Sequence, residues 1–274
     1  MKIALAGKGG VGKSTLSAAL ITIFAEKGHQ VFAVDADPDA NLGLTLGFPS
    51  SLLDQQPPIV EMKDLIEERT GKGAFLILNP AVDDILARFR LQCGNISLFR
   101  MGGVKSAGSH CYCKENAFLK AIVSSLVLSD EDLVVLDMGA GIEHLTRGTA
   151  EGVDLLLVVT EPTRVSAESA TTIARLARDM GVPSVRIVGN KVRSGRERDF
   201  LQATFGEDLL AVIPYDEAVA EAALGGGEAD VPSGQPGAAP AAVPSGPGIL
   251  RGELRQSLEQ VYPEIARLAG GFAG

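Results

Sequence analysis

The chain is poor in the residues that stabilise small secreted proteins. It contains no tryptophan and only three cysteines, Cys93, Cys111 and Cys113. Three cysteines cannot form a closed set of disulfides, and such sparse use is typical of a reducing compartment. For these thiols the sequence therefore favours metal or redox chemistry over structural cross-links.

Long apolar runs are also absent from the sequence. No run reaches the ~18 residues of a membrane span, and Met1 to Lys8 lead directly into a glycine-rich loop, unlike a signal peptide. The net charge is -9 and the estimated pI is 4.9, which disfavours nonspecific attraction to nucleic acid or to anionic lipid. We expect a cytoplasmic protein with no nucleic-acid and no membrane partner.

The chain has enough apolar residues for a folded core, 46% against 22% charged residues. Short apolar runs alternate with longer helical patterns, which predicts one doubly wound α/β domain over residues 1–274, with a mostly parallel sheet and helices on both faces. Ligands of such sheets bind at the carboxyl edge. The predicted strands are Lys2 to Ala6, Val31 to Asp35, Leu133 to Asp137, Asp154 to Thr160, Val185 to Asn190 and Leu209 to Ile213.

The last quarter of the chain departs from this alternation. Gly225 to Gly248 is dominated by Gly, Pro and Ala, which indicates a flexible insertion or a loop that docks a partner. An amphipathic helix is predicted after it, docked on the sheet and kinked or split at Pro263. Its apolar stripe comprises Ile249, Leu250, Leu254, Leu258, Val261, Ile265 and Leu268.

A phosphate-binding loop is the clearest motif. Gly7 to Ser14 read GKGGVGKS between a predicted strand and a helix. In such loops backbone N–H groups surround the phosphates, the lysine neutralises them and the serine hydroxyl binds Mg²⁺. The predicted nucleotide contacts here are Gly9, Gly10, Val11, Gly12, Lys13, Ser14 and Thr15.

A second lysine, Lys8, follows the first glycine of this loop. With it, the stretch GKGGVGKST resembles the deviant Walker A sequence of the family that includes the nitrogenase iron protein, division-site and plasmid-partition ATPases, and ATPases that target tail-anchored proteins. In that family the extra lysine crosses a two-fold axis to the partner's nucleotide. The resemblance implies a homodimer that closes around two ATP molecules, with Lys8 and Lys13 both catalytic.

The resemblance also extends to the acidic residues after two strands. DADPDAN, Asp35 to Asn41, looks like switch I of the family, and Asp37 would then act on the attacking water, with Asn41 as a switch residue. LVVLDMG, Leu133 to Gly139, looks like Walker B and switch II, where Asp137 serves Mg²⁺ and Gly139 senses the γ-phosphate. The implied magnesium residues are Ser14, Asp37 and Asp137. For Asp35 a ligand role and a buried hydrogen-bonded acid remain equal alternatives.

The predicted base is adenine. Proteins that recognise guanine have a carboxylate after an Asn-Lys pair, which accepts the hydrogens of the base. Here Asn190 and Lys191 are followed by Val192 and Arg193, and an arginine cannot accept these hydrogens. By resemblance, Pro214 and Tyr215 would line the adenine pocket; a capped strand-to-helix turn is the alternative.

Cys111 and Cys113 form a C-x-C pair, which alone is equally compatible with inert thiols. In an extended segment the two side chains would share one face and reach one ion. Two thiolates are half of a usual site, and a symmetric dimer would supply the other half. We therefore predict a shared metal site at the dimer axis.

The chain further resembles the CooC-type accessory ATPases, in VDADPDANLGLTLG, GSHCYCKENAFL and DMGAGIEHLTRGTAEGVD. That resemblance implies nickel, or zinc, on Cys111 and Cys113. It also implies assistance to nickel insertion into carbon monoxide dehydrogenase or its acetyl-CoA synthase partner. The Gly/Pro-rich insertion departs from the pattern of this family.

Two other functions compete with this hypothesis. An iron-sulfur carrier or reductase-component ATPase would use cysteines, but usually as C-x-x-C or widely separated residues. A positioning ATPase of the MinD/ParA kind would bind membrane or DNA, which the acidic charge and the mixed charge of the last helix disfavour.

Overall fold

The fold is built on a central β-sheet. A computed structural model describes residues 1–71, 77, 80–102, 113–125, 133–139, 152–224 and 252–270. The described strands are β1 (Lys2–Gly7), β2 (Val31–Ala36), β3 (Leu91–Cys93), β4 (Ile96–Arg100), β5 (Leu133–Met138), β6 (Leu155–Thr160), β7 (Ser184–Val192) and β8 (Leu209–Pro214). They form one sheet in the order β3-β4-β2-β5-β1-β6-β7-β8.

Helices connect the strands and are of very different lengths. The described α-helices are α1 (Lys13–Glu26), α2 (Leu42–Thr45), α3 (Ser50–Asp54), α4 (Lys63–Thr70), α5 (Asp83–Arg88), α6 (Cys113–Ser125), α7 (Arg164–Asp179), α8 (Gly195–Phe205), α9 (Glu217–Leu224) and α10 (Glu253–Leu268). Short 3₁₀ turns lie at Ile59–Glu61 and Gly206–Asp208.

Two apolar cores lie on opposite faces of the sheet. In β1, Ile3 and Leu5 point to the core that α1 and α10 cover, while Ala4 and Ala6 point to the core of α6 and α7. Both faces are buried because parallel strands carry near-continuous apolar sequence. The predicted α/β class, with helices on both faces, is confirmed.

The parallel strands bring several predicted site residues to one edge. β1, β2, β5, β6, β7 and β8 are parallel to their neighbours within the sheet. Their carboxyl ends therefore share an edge, which receives the glycine loop, Asp35, Asp137, Lys191 and Pro214.

Two features of the fold differ from prediction. The hairpin of β3 and β4 was missed, although Gly94 and Asn95 form its two-residue turn with Gly94 at φ 53°. Pro263 was predicted to kink or split the last helix, and the split is wrong, since α10 runs unbroken through it. Packing compensates for the backbone hydrogen bond that proline lacks, because Leu258 and Ile265 on either side are buried in the core.

Helix α10 docks on the sheet as predicted. Leu254, Leu258 and Ile265 are buried against the core, and Val261 packs beside them. Its amino end is held by Asp216, whose carboxylate accepts the N–H groups of Glu253 at 3.1 Å and Leu254 at 3.5 Å. The apolar face of this helix is therefore covered by protein.

Several predictions fall on residues outside those that the structure describes. They include the insertion at 225–248, Ile249, Leu250 and Cys111. Cys113 is described as the first residue of α6, so the expectation of extended backbone is not met there. Within the described residues, no helix has the length and apolar composition needed to cross a bilayer.

Candidate nucleotide-binding site

The glycine loop between β1 and α1 has the geometry of an anion cradle. Gly10 and Gly12 adopt φ 84° and 95°, left-handed values that glycine reaches without a steric penalty. Gly12 is also the N-cap of α1, and no side chain caps the helix there. The first amides of α1 thus remain available for phosphate oxygens.

The two loop lysines are in different environments. Lys13 is buried, and its ammonium donates to the backbone oxygen of Lys8 at 3.3 Å. Lys8 is exposed, and within the described residues its side chain has no recorded hydrogen bond or ion pair. Lys13 therefore stays with its own loop, whereas Lys8 is available to a group outside this chain.

Two residues at the end of β7 hold the outer side of the loop. β7 loses register with β8 between Gly189 and Val192, an irregularity of the kind that re-aims side chains. The Asn190 amide donates to Val11 O at 2.8 Å, and the Lys191 ammonium donates to Gly10 O at 2.6 Å. Both residues were predicted as nucleotide contacts, and in the structure both contact the phosphate loop.

Asp35 and Asp137 form a buried acidic pair beneath the loop. They are paired directly across β2 and β5, and neither is exposed. Asp35 accepts the N–H groups of Leu42 at 3.0 Å and Asp37 at 3.4 Å. Asp35 therefore anchors the segment that follows β2, which favours the hydrogen-bonded alternative for this residue.

The carboxylate of Asp137 has fewer hydrogen bonds than that of Asp35. Ser17 donates to its Oδ1 at 3.0 Å, while Oδ2 is buried and has no hydrogen-bond partner. Burial raises the pKa of Asp137 to about 6. Burial also raises the pKa of Asp35, to about 7, and the charge of Asp137 contributes to that rise. The nearby Ser14 hydroxyl, the hydrogen bond from Ser17 and the charge of Lys13 oppose this rise of the Asp137 pKa.

The predicted switch residues lie at the same edge. Asp37 is half-buried, and its charge contributes to the raised pKa values of both Asp35 and Asp137. Its Oδ1 accepts the Asp39 N–H at 2.9 Å, which fixes the turn. Asn41 is exposed just before α2, and Gly139 is buried directly after β5.

The predicted base pocket lies at the end of β8. Pro214 ends the strand, and the Tyr215 N–H donates to Val192 O at 2.9 Å. The Arg193 guanidinium lies 3.9 Å from the centroid of the half-buried Tyr215 ring. A cation on an aromatic face forms a flat wall of the kind on which a purine can stack.

The chain is similar to known nucleotide-binding proteins. Residues 2–228 match the family model "CobQ/CobB/MinD/ParA nucleotide binding domain". The chain belongs to this family. It is 43% identical over 224 residues to the carbon monoxide dehydrogenase accessory protein CooC of Rhodospirillum rubrum, covering 80% of this chain and 85% of that protein. Within the CobQ/CobB/MinD/ParA family it is therefore a CooC-type ATPase.

Two further similarities agree with nucleotide binding and with the fold. An uncharacterized ATP-binding protein of Methanocaldococcus jannaschii is 37% identical over 227 residues, covering 80% of this chain and 87% of that protein. The fold matches that of the septum site-determining protein MinD of Pyrococcus horikoshii, solved with Mg-ADP. That match has a TM-score of 0.65 at 21% identity and covers 98% of this chain and 97% of the other.

The site of this CooC-type ATPase suits the Mg²⁺ expected for the family. Asp137 supplies a buried carboxylate oxygen without a hydrogen-bond partner, and the nearby Ser14 hydroxyl lowers the pKa of the same carboxyl group. Mg²⁺ needs only one or two protein oxygens beside phosphate and water. Among the described residues no cluster of three or more His, Cys, Asp or Glu forms a metal site, and the Mg²⁺ fit does not require one.

Sequence reasoning missed two residues of the site. Ser17 donates to Asp137, and its position three residues after Ser14, on the same face of α1, was the available signal for it. Glu161 follows β6 directly and pairs with Lys191, Oε1 to Nζ 2.7 Å. An acid at the carboxyl end of a central parallel strand was the available signal for it.

Proposed function

We propose that this CooC-type ATPase forms an ATP-bound homodimer that carries Ni²⁺, or Zn²⁺, on Cys111 and Cys113 of both copies. Its client would be carbon monoxide dehydrogenase or the associated acetyl-CoA synthase, to which it would deliver nickel. The 43% identity to a protein named for carbon monoxide dehydrogenase supports this choice of client.

One structural observation carries the proposal: α6 begins at Cys113. β4 and β5 are both parallel to β2, so α6 belongs to the crossover between parallel strands. Such a helix runs back across the sheet, with its amino end near the carboxyl edge. This supports a position of Cys113 near the edge that carries Lys8 and the phosphate loop.

The position of Cys113 also suits thiolate chemistry. A helix amino end stabilises negative charge, and thiolate is the form that binds metal. Two thiolates from each copy would complete a four-sulfur site on the symmetry axis. An exposed Lys8 without a partner among the described residues supports pairing at this edge, because a partner's phosphate would neutralise it.

For hydrolysis, each residue has one task. Backbone N–H groups of the loop and Lys13 would hold the phosphates, Asp37 would orient the attacking water, and Lys8 would neutralise charge on the partner's nucleotide. Ser14 and Asp137 would hold Mg²⁺, which when bound neutralises charge on the β- and γ-phosphate oxygens.

The cysteine variants test the metal site. Wild-type protein with Mg²⁺ and a nonhydrolysable ATP analogue should retain one Ni²⁺ per dimer after dialysis, and Cys111→Ala or Cys113→Ala should retain none. Cys93→Ala is the matched control, because Cys93 is buried in β3 and should keep the metal.

Delivery to the client needs a second measurement. Nickel-free carbon monoxide dehydrogenase should gain activity from limiting Ni²⁺ faster with the wild-type ATPase and ATP than with either cysteine variant. Retention of nickel by both cysteine variants would refute the site, and equal activation by wild type and variants would refute the delivery.

A further inference from the structure

The Lys191 ammonium joins two protein groups beside the nucleotide site. It lies 2.6 Å from Gly10 O of the phosphate loop and 2.7 Å from Glu161 Oε1. These three residues come from three separate segments: the loop after β1, the turn after β6 and the end of β7. Lys191 thus connects the phosphate loop to the turn that leads into α7.

The backbone of Lys191 is in an unusual conformation. Its φ is 59°, and Ala40 is the only other described residue besides glycine with a positive φ. Lysine gains nothing from the left-handed region, and such strain persists where the surrounding structure enforces it. Two flanking contacts hold the Lys191 backbone in this conformation. The Asn190 amide donates to Val11 O, and the Tyr215 N–H donates to Val192 O.

The two bonds to the loop have a common chemical reason. When the N–H groups of a phosphate loop turn inward, its carbonyl groups turn outward and need donors. The donors for two successive carbonyls, Gly10 O and Val11 O, are Lys191 and Asn190. Fixing these carbonyls fixes the peptide planes, and therefore the N–H directions, before phosphate arrives.

Glu161 holds the lysine in place. Its backbone N–H donates to Ser166 Oγ at 3.0 Å, and Ser166 N–H donates to Thr163 Oγ1 at 3.2 Å in the first turn of α7. Glu161 is therefore anchored on a capped helix start. The Lys191 side chain is 40% exposed, and without Glu161 its ammonium would exchange the bond to the loop for water.

We propose that Lys191 is a positioning residue which preorganises the phosphate loop through the Gly10 carbonyl, and that Glu161 orients Lys191 for this task. This deepens the ATP-binding function and rests on it. Lys191 acts on the phosphate part of any ligand through the loop and makes no contact with the base.

The test compares a ligand with a base and a ligand without one. Lys191→Asn removes the ammonium and retains a residue that tolerates positive φ, and its thermal unfolding midpoint checks the fold. Affinities for Mg-ADP and for Mg-pyrophosphate are measured by displacement of a fluorescent ADP analogue. Both dissociation constants should rise about ten-fold, because one charged hydrogen bond is lost.

Glu161→Gln tests the second half of the proposal. It should weaken the binding of Mg-ADP and of Mg-pyrophosphate by the same factor, about three-fold. The double variant should bind both ligands no more weakly than Lys191→Asn alone, because Glu161 acts through Lys191. Asp208→Asn is the matched control, because it removes a similarly exposed ion pair, Arg178–Asp208. These two residues lie at the end of α7 and just before β8. The variant should change neither affinity.

Each other outcome overturns the inference. Weaker ADP binding with unchanged pyrophosphate binding would make Lys191 a base or ribose ligand. Unchanged affinities for both would make the ion pair a surface contact without function, and additive effects would separate Glu161 from Lys191. Absence of Mg-ADP binding by the wild type in the same assay would instead refute the nucleotide site itself.

Discussion

Asp35 and Asp137 are directly paired across β2 and β5 with both carboxyl groups fully buried. Burial raises the pKa of both carboxyl groups, and the charge of Asp137 raises the pKa of Asp35 further. The fold accepts this arrangement at the floor of the phosphate loop, where a bound cation would favour the ionised form of Asp137. We expect this burial to lower the stability of the metal-free protein, and a bound cation to offset the loss.

The first prediction is that Asp137→Asn stabilises the metal-free protein at pH 8. The folded protein holds the Asp137 proton more tightly than the unfolded chain, because the pKa is raised from 3.8 to about 6. Ionisation above that range therefore lowers the free energy of unfolding. With EDTA present, urea unfolding should show a gain of about 1 to 3 kcal/mol.

The pH dependence supplies the control for this variant. At pH 3.5 the carboxyl of the wild type is largely protonated in both states, so the gain should vanish. The Asp137→Asn change should meanwhile abolish the Mg²⁺-dependent part of ATP binding, because the unpartnered carboxylate oxygen is gone. A variant less stable than wild type at pH 8 would refute this account of the pair.

The second prediction is that Lys8→Ala abolishes ATP hydrolysis and ATP-induced dimerisation while leaving stability unchanged. Lys8 is exposed, so its removal should change the free energy of unfolding by less than ~0.5 kcal/mol. Phosphate release and sedimentation velocity are the measurements. Lys63→Ala, at an equally exposed position at the start of α4, is the control; dimerisation by Lys8→Ala would contradict the prediction.

The third prediction concerns Gly12. A Cβ atom there would lie 2.5 Å from Asn190 Nδ2 at φ 95°, so Gly12→Ala should break the Asn190–Val11 bond and weaken ATP binding more than ten-fold. Gly28→Ala is a matched control, with φ 93° and open space around the new atom. It should lose only about 1 kcal/mol of stability and keep its ATP affinity.

The fourth prediction is structural. Asp216 accepts three backbone N–H groups, those of Ala218, Glu253 and Leu254. Asp216→Ala should lower the free energy of unfolding by about 1 to 2 kcal/mol through loss of these caps. Glu221→Ala, an exposed change in α9, should have little effect, and equal unfolding curves for the two variants would contradict the prediction.

Much of the nucleotide site could be predicted because its signals are local. The loop is a contiguous motif, and Asp35 and Asp137 each stand one residue before the end of a strand that its apolar sequence identifies. The same locality explains the failures. The strands of the β3–β4 hairpin are too short to show a clear pattern, and burial of Leu258 and Ile265 on either side of Pro263 keeps α10 unsplit.

The Lys191 contacts were not predictable from the sequence, for a different reason. Their partners Gly10 and Glu161 are remote in sequence, and only the strand order brings β6, β7 and β1 together. The pattern Asn190-Lys191 indicated nucleotide contact, whereas the structure shows that the side chains reach the loop carbonyls. Sequence identified the correct edge and left the bonding partner open.

The most direct test of the central claim is a nickel titration of the wild-type protein with mass measured at each step. With Mg²⁺ and a nonhydrolysable ATP analogue, the proposed dimer should bind one Ni²⁺ across Cys111 and Cys113 of both copies, at least about ten-fold more tightly than the nucleotide-free protein. A nucleotide-saturated monomer that binds Ni²⁺ with the same affinity as the dimer would contradict the claim.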